Sequence, residues 1–205
     1  MFFLLLCFVA TDSARRVTPP IAADLADAGS KEPTVSTRKE IIHMPVPDSI
    51  AVAAESFRQN THFVKKNVEG FSDEEWLRRP GGTGNHALWI VGHVAWARSA
   101  VLKRLGDDWG KPWLSLCGRG ARCEDSVAYP TPEEAMQAWS ESSTRLKAAM
   151  ESASPDLLAT PVSQGPPSAD GKLSGVVNFM AFHETYHVGQ LAYVRSLLGH
   201  AGAMG

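Results

Sequence analysis

The sequence predicts an all-α protein, a four-helix bundle, on three observations. Apolar residues recur at three- and four-residue spacing in four long stretches, recognisable caps bound those stretches, and no segment alternates polar and apolar residues as a half-buried strand would. Four amphipathic helices bury their stripes most simply against one another.

The first helix is read from Ile50, Ala53, Ala54, Phe57, Val64 and Val68, with Asp48 as its N-cap and Gly70 just past its end. A short helix follows. Ser72 and Glu75 have capping-box spacing, Phe71 and Trp76 fit a hydrophobic staple, and Pro80-Gly81-Gly82 ends it. The second long helix runs from about Asn85 to Leu105, with Trp89, His93, Trp96 and Ala100 on one face and Gly106 as its stop. Residues 107–130 are expected to be an irregular loop. Thr131 and Glu134 make another capping box, with Pro132 at the first helical position of a third helix. Its stripe is Met136, Trp139, Leu146, Met150 and Ala153. Residues 155–171 read as a connection. The last helix spans about Ser174 to Leu198, with Met180, His183, His187, Leu191, Val194 and Leu198 on one face and Gly199 as its stop.

Composition narrows the function. The 205 residues carry a net charge of −2, so no electrostatic footprint for nucleic acid is present. No apolar run approaches the roughly 18 residues of a membrane span. Three cysteines, Cys7, Cys117 and Cys123, are too few for a disulfide scaffold, and their spacing matches no zinc ribbon.

Residues 1–43 read differently from the rest. Phe2 to Ala10 is a short apolar run without a preceding Lys or Arg, and Thr11 to Lys39 is polar and aperiodic, a composition expected to be disordered. It is either a leader, with an export signal over 1–14, or an upstream segment of a mis-assigned gene whose true start is Met44. The second reading is favoured because a helical domain, 44–205, begins cleanly after Met44, and cytoplasmic residence goes with it.

The chemistry concentrates in Phe182-His183-Glu184-Thr185-Tyr186-His187-Val188-Gly189-Gln190. Two helical positions four residues apart differ by about 40° around the axis and about 6 Å along it, so both imidazoles can reach one ion. His93 supplies a third from another inward face. Three neutral nitrogens leave coordination positions open for water or substrate. The alternative is three core histidines bonded to protein. His86, seven residues before His93 on the same face, is a rival ligand, but it falls in the first turn. Gln190, three residues past His187, is placed to bond a ligand imidazole or a substrate.

His183-Glu184-Thr185-Tyr186-His187 also matches H-E-x-x-H, in which the Glu of a zinc protease is the general base. That reading is disfavoured: only 18 residues follow His187, His200 lies beyond the helix stop, and Gly189 comes one position early for the extended pattern. Glu184 sits about 60° around the helix from His187, a spacing that makes it a candidate proton acceptor beside the site.

These residues resemble the DinB/YfiT-like superfamily, most closely its DinB-like subgroup. Phe182 to Leu191 is similar to that group's last-helix signature, H-x-x-x-H-x-G-Q. Asn85 to Gly106 resembles its second helix, with Trp89 ahead of the ligand at His93. Gly118-Arg119-Gly120 with Tyr129-Pro130 resembles its connecting loop, and Phe71 to Pro80 the stretch before helix two. The resemblance covers Asp48 to Gly199. It implies an up-down-down-up bundle holding one divalent ion, zinc, nickel or iron, on His93, His183 and His187, with Trp89, Tyr186 and Gln190 around them. It further implies a transferase using a low-molecular-weight thiol or a hydrolase, a small-molecule substrate and a homodimer; the charge and hydropathy of the chain add the expectation of no nucleic-acid or membrane partner. Cys117 departs from the aromatic or aliphatic residue expected there, so the cysteines are not inherited ligands. A non-catalytic metal-binding or stress-response bundle is the alternative from a different class, because three ligands license binding and not turnover.

Overall fold

The computed structural model describes residues 46–203. The expected leader over 1–43 and the start at Met44 lie outside the described residues. Among the described residues the chain is helical, without a strand; one isolated bridge joins Pro161 to Lys172.

Helix α1, Ala51–Val68, begins two residues later than an N-cap at Asp48 implies. Asp48 is not its N-cap. It opens a 3-10 turn, Asp48–Ile50, in which the Ile50 amide bonds the Pro47 carbonyl at 3.0 Å. The turn drives Ile50 into the core, where it is fully buried, and its backbone there (φ −128°, ψ 9°) departs from helical values. Helix α2, Asp73–Leu77, carries both halves of the expected capping box. Its staple is present as an edge-to-face pair, with the Phe71 and Trp76 rings 6.1 Å apart.

Helix α3, Ala87–Arg104, is buried all round from Ala87 to Ala95 rather than along one stripe. The reason lies in the loop expected to be irregular. Pro112–Cys117 forms a 3-10 helix that packs on α3 and buries Leu114 and Cys117. Gly92 makes this approach possible: a Cβ there would come within 2.5 Å of Cys117 Sγ.

Helix α4, Pro132–Ser152, starts at the Thr131 capping box with Pro132 in its first turn, as the sequence implies. Its Trp139 is fully buried. Inside the expected connection a single turn, α5 (Pro155–Leu158), is capped by the Ser154 hydroxyl and tucks Leu158 into the core. Asp170 then organises the entry to α6, Leu173–Leu197. It accepts from the Lys172 and Gly175 amides and the Ser174 hydroxyl, and these bonds, the hydroxyl first, pull its carboxyl down to about 2. Gly199, at φ 87°, allows the left-handed turn that stops α6.

The four long helices pack pairwise, α1 on α6 and α4, and α3 on α4 and α6. Helices α3 and α6, which carry the histidines, therefore share an interface. No helix among the described residues is long and apolar enough to cross a membrane.

Candidate metal centre

His93 on α3 and His183 and His187 on α6 converge, each offering one nitrogen within 4.8 Å of the others. His183 Nε2 lies 3.4 Å from His93 Nε2 and 3.1 Å from His187 Nε2. The remaining nitrogens fix which atoms face inward. His93 Nδ1 sits 2.7 Å from the Cys117 carbonyl, and His187 Nδ1 sits 2.7 Å from Gln190 Oε1. An oxygen of that kind only accepts, so both Nδ1 atoms carry the proton and both Nε2 atoms present lone pairs. His183 faces both lone pairs with at most one proton on Nε2, so at least one contact is not a hydrogen bond. Its own Nδ1 is buried with no partner among the described residues.

These three nitrogens are positioned to bind a metal ion. Around a tetrahedral ion with metal–nitrogen bonds of about 2.0–2.1 Å, neighbouring nitrogens stand about 3.3 Å apart, close to the two separations in the cluster. Burial favours the neutral, ligating form. Desolvation lowers the pKa of His93. It lowers that of His183 with help from the neighbouring His93, and brings His187 down to about 4.

The ring of His93 is clamped between two indoles, Trp89 at 4.9 Å and nearly parallel (7°), and Trp96 at 5.6 Å. Gln190 serves His187 with its oxygen and passes its amide to the Tyr186 hydroxyl at 3.2 Å. Tyr186 and the neighbouring Phe182 are 58% and 69% exposed and His183 is only half-buried, so the cluster opens to solvent on this side.

Two expected or rival residues stand elsewhere. His86 is the N-cap of α3, its Nδ1 accepting from the Trp89 amide at 3.0 Å, which removes that lone pair from ligand duty. Glu184 requires a correction: it is not a free proton acceptor beside the histidines. Both carboxylate oxygens accept from Arg98, Nε to Oε2 at 2.7 Å and Nη2 to Oε1 at 2.8 Å, and both side chains are 1% exposed. Burial raises the Glu184 carboxyl pKa and Arg98 opposes that rise. The general base of the protease pattern must face a water on the ion, and this carboxylate is instead buried against Arg98.

Sequence reading missed three contributors: the Cys117 carbonyl, Trp96 as the second clamp of His93, and Arg98. A backbone carbonyl leaves no mark in a sequence. Arg98 does leave one, as a lone charge within the apolar run Ala95-Trp96-Ala97 and Val101-Leu102.

Comparison with known families matches the DinB superfamily to residues 55–191, more than half of the chain and inclusive of all three histidines. No curated protein matches the chain. With a helical fold and three histidines converging from its second and last long helices, the chain belongs to the DinB superfamily.

Proposed function

We propose that this chain is a metal-dependent transferase of the thiol-transferase type, or a hydrolase, acting on a small electrophilic substrate within an up-down-down-up bundle. The observation that carries the reading is the convergence of three imidazole Nε2 atoms, two of them held as lone-pair donors by Cys117 and Gln190. Zinc, nickel or iron suits three neutral nitrogens. When bound, such an ion lowers the pKa of water or a thiol and so supplies a nucleophile at neutral pH.

The chain's own residues do the rest. His93, His183 and His187 hold the ion, and Trp89 and Trp96 fix the His93 ring. Tyr186 accepts from Gln190, which leaves its own proton for a substrate oxygen. A low-molecular-weight thiol as co-substrate and a homodimer accompany this reading. Cys117 and Cys123 are both free and buried, which accords with a reducing, cytoplasmic setting.

One observation favours a second reading, a metal-binding bundle without turnover. With Glu184 held by Arg98, no carboxylate joins the histidine group among the described residues. Elemental mass spectrometry on protein purified without a His tag tests the shared premise. The expected result is near-stoichiometric metal, lost in a His183→Ala/His187→Ala variant. An empty parent that also refuses zinc, nickel and iron on titration would sink both readings. A rate gain with any member of a thiol-transfer and ester panel, abolished by chelation, separates the enzyme from the passive binder.

A further inference from the structure

A second buried polar cluster joins the same two helices. Arg98 lies five residues after His93 on α3, and Glu184 lies between His183 and His187 on α6. Besides its fork on Glu184, Arg98 donates to Ser143 on α4 at 2.5 Å, and to the Phe57 carbonyl and Thr61 on α1 at 3.1 and 3.0 Å. Its guanidinium lies 3.8 Å from the Trp139 ring centre. All four long helices therefore meet at one side chain.

Such a pair is an unexpected choice for stability alone. Taking two charges out of water costs several kcal/mol per ion, and apolar residues of similar volume often serve as well or better. What apolar residues lack is direction. The apolar faces of α3 and α6 would pack in more than one register, whereas a planar fork meets a carboxylate in one.

We infer that the Arg98–Glu184 pair is the positioning device of the metal centre, fixing α6 against α3 so that His183 and His187 meet His93. This inference rests on the metal-binding reading above. Glu184 is the backbone neighbour of His183 and three residues from His187, so a displacement of Glu184 carries both ligands with it. A second polar contact, the buried Asn60 bonding Thr185 at 3.1 Å, holds the next residue of α6 to α1.

The test is cobalt(II) titration of the full chain, followed through the visible ligand-field bands, alongside chemical unfolding of the metal-free protein. Arg98→Met/Glu184→Leu removes the charges at similar volume. The expectation is cobalt binding at least ten-fold weaker, with altered bands, in a variant that still unfolds cooperatively. Leu146→Ala, a core truncation on the ligand-free helix α4, controls for lost stability and should keep the parent affinity and spectrum. Should the double variant fail to fold, Arg98→Lys keeps the charge and loses the fork, and the same weakening and band change are expected. Parent affinity and spectrum in the folded double variant, or in Arg98→Lys, would overturn the positioning role. A parent that takes up no cobalt would instead overturn the metal-binding reading itself.

Discussion

Two polar clusters are buried along the shared face of α3 and α6, and they are built on opposite principles. Around Arg98 each donor group has an acceptor: two carboxylate oxygens, two hydroxyls and a backbone carbonyl gather on one guanidinium. Around His183 the protein gathers acceptors without enough protons, and leaves Nδ1 with no partner among the described residues. A buried polar group left unmet costs about 1–3 kcal/mol. Asn67 Oδ1 and the indole nitrogens of Trp89, Trp109 and Trp139 are also without partners among the described residues, but at His183 the unpartnered atom sits on a ring whose other nitrogen faces two further lone pairs.

The largest effect should come from breaking the saturated cluster. Arg98→Ala strands a buried carboxylate and three further acceptors, and about 3–5 kcal/mol of stability should be lost, read by urea unfolding of the metal-free protein. A loss under 1 kcal/mol would erase the contrast between the two clusters.

His86 offers an intermediate case, a buried imidazole with one nitrogen satisfied as a cap. Burial, chiefly, brings its pKa down to about 4 from 6.5. The unfolded chain then takes up the proton first. Stability from this group is therefore full above pH 6.5 and declines as pH falls through 6.5 toward 4, by up to about 3 kcal/mol. His86→Asn keeps a capping side chain without the titration. Its metal-free unfolding free energy should fall less steeply with acid than the parent's over that window, and equal slopes would contradict the assignment.

Gln190→Leu removes the acceptor that orients His187. Metal affinity should weaken about 10–100-fold with little change in metal-free melting, because the residue serves a ligand rather than the core. The smallest effect is expected from the unsatisfied cluster itself. His187→Leu should abolish metal uptake yet change metal-free stability by no more than about 1 kcal/mol in either direction, since it removes a strained set of lone pairs along with some packing. A large destabilisation there would mean that the histidines hold the core together on their own.

Much of this was legible in the sequence, and the limits have physical causes. The capping boxes at Ser72 and Thr131 are local chemistry, set within four residues, and both stand as read. The histidine pair follows from helical geometry alone, and His93 from its place on an inward face. Glu184 shows where local reasoning stops. Its spacing from His187 is as expected, but a helix offers two directions to a residue 60° off the ligands, and only the partner on α3 decides between them. Asp48 failed as a cap because burial of Ile50 overrode the local signal. The helix at Pro112–Cys117 was invisible because its stability comes from the notch at Gly92, a feature of another segment.

The two indoles that clamp His93 have a further consequence. Indole emission is quenched by contact with a protonated imidazole and by paramagnetic transition ions, and both Trp89 and Trp96 stack within 6 Å of the ring that would carry either. The protein thus contains its own optical indicator. Occupancy of the centre by a paramagnetic ion such as cobalt(II) or nickel(II), though not by diamagnetic zinc, should register as dimming of intrinsic fluorescence, without label or added chromophore, and a Trp96→Phe variant would show how much of that signal each indole carries.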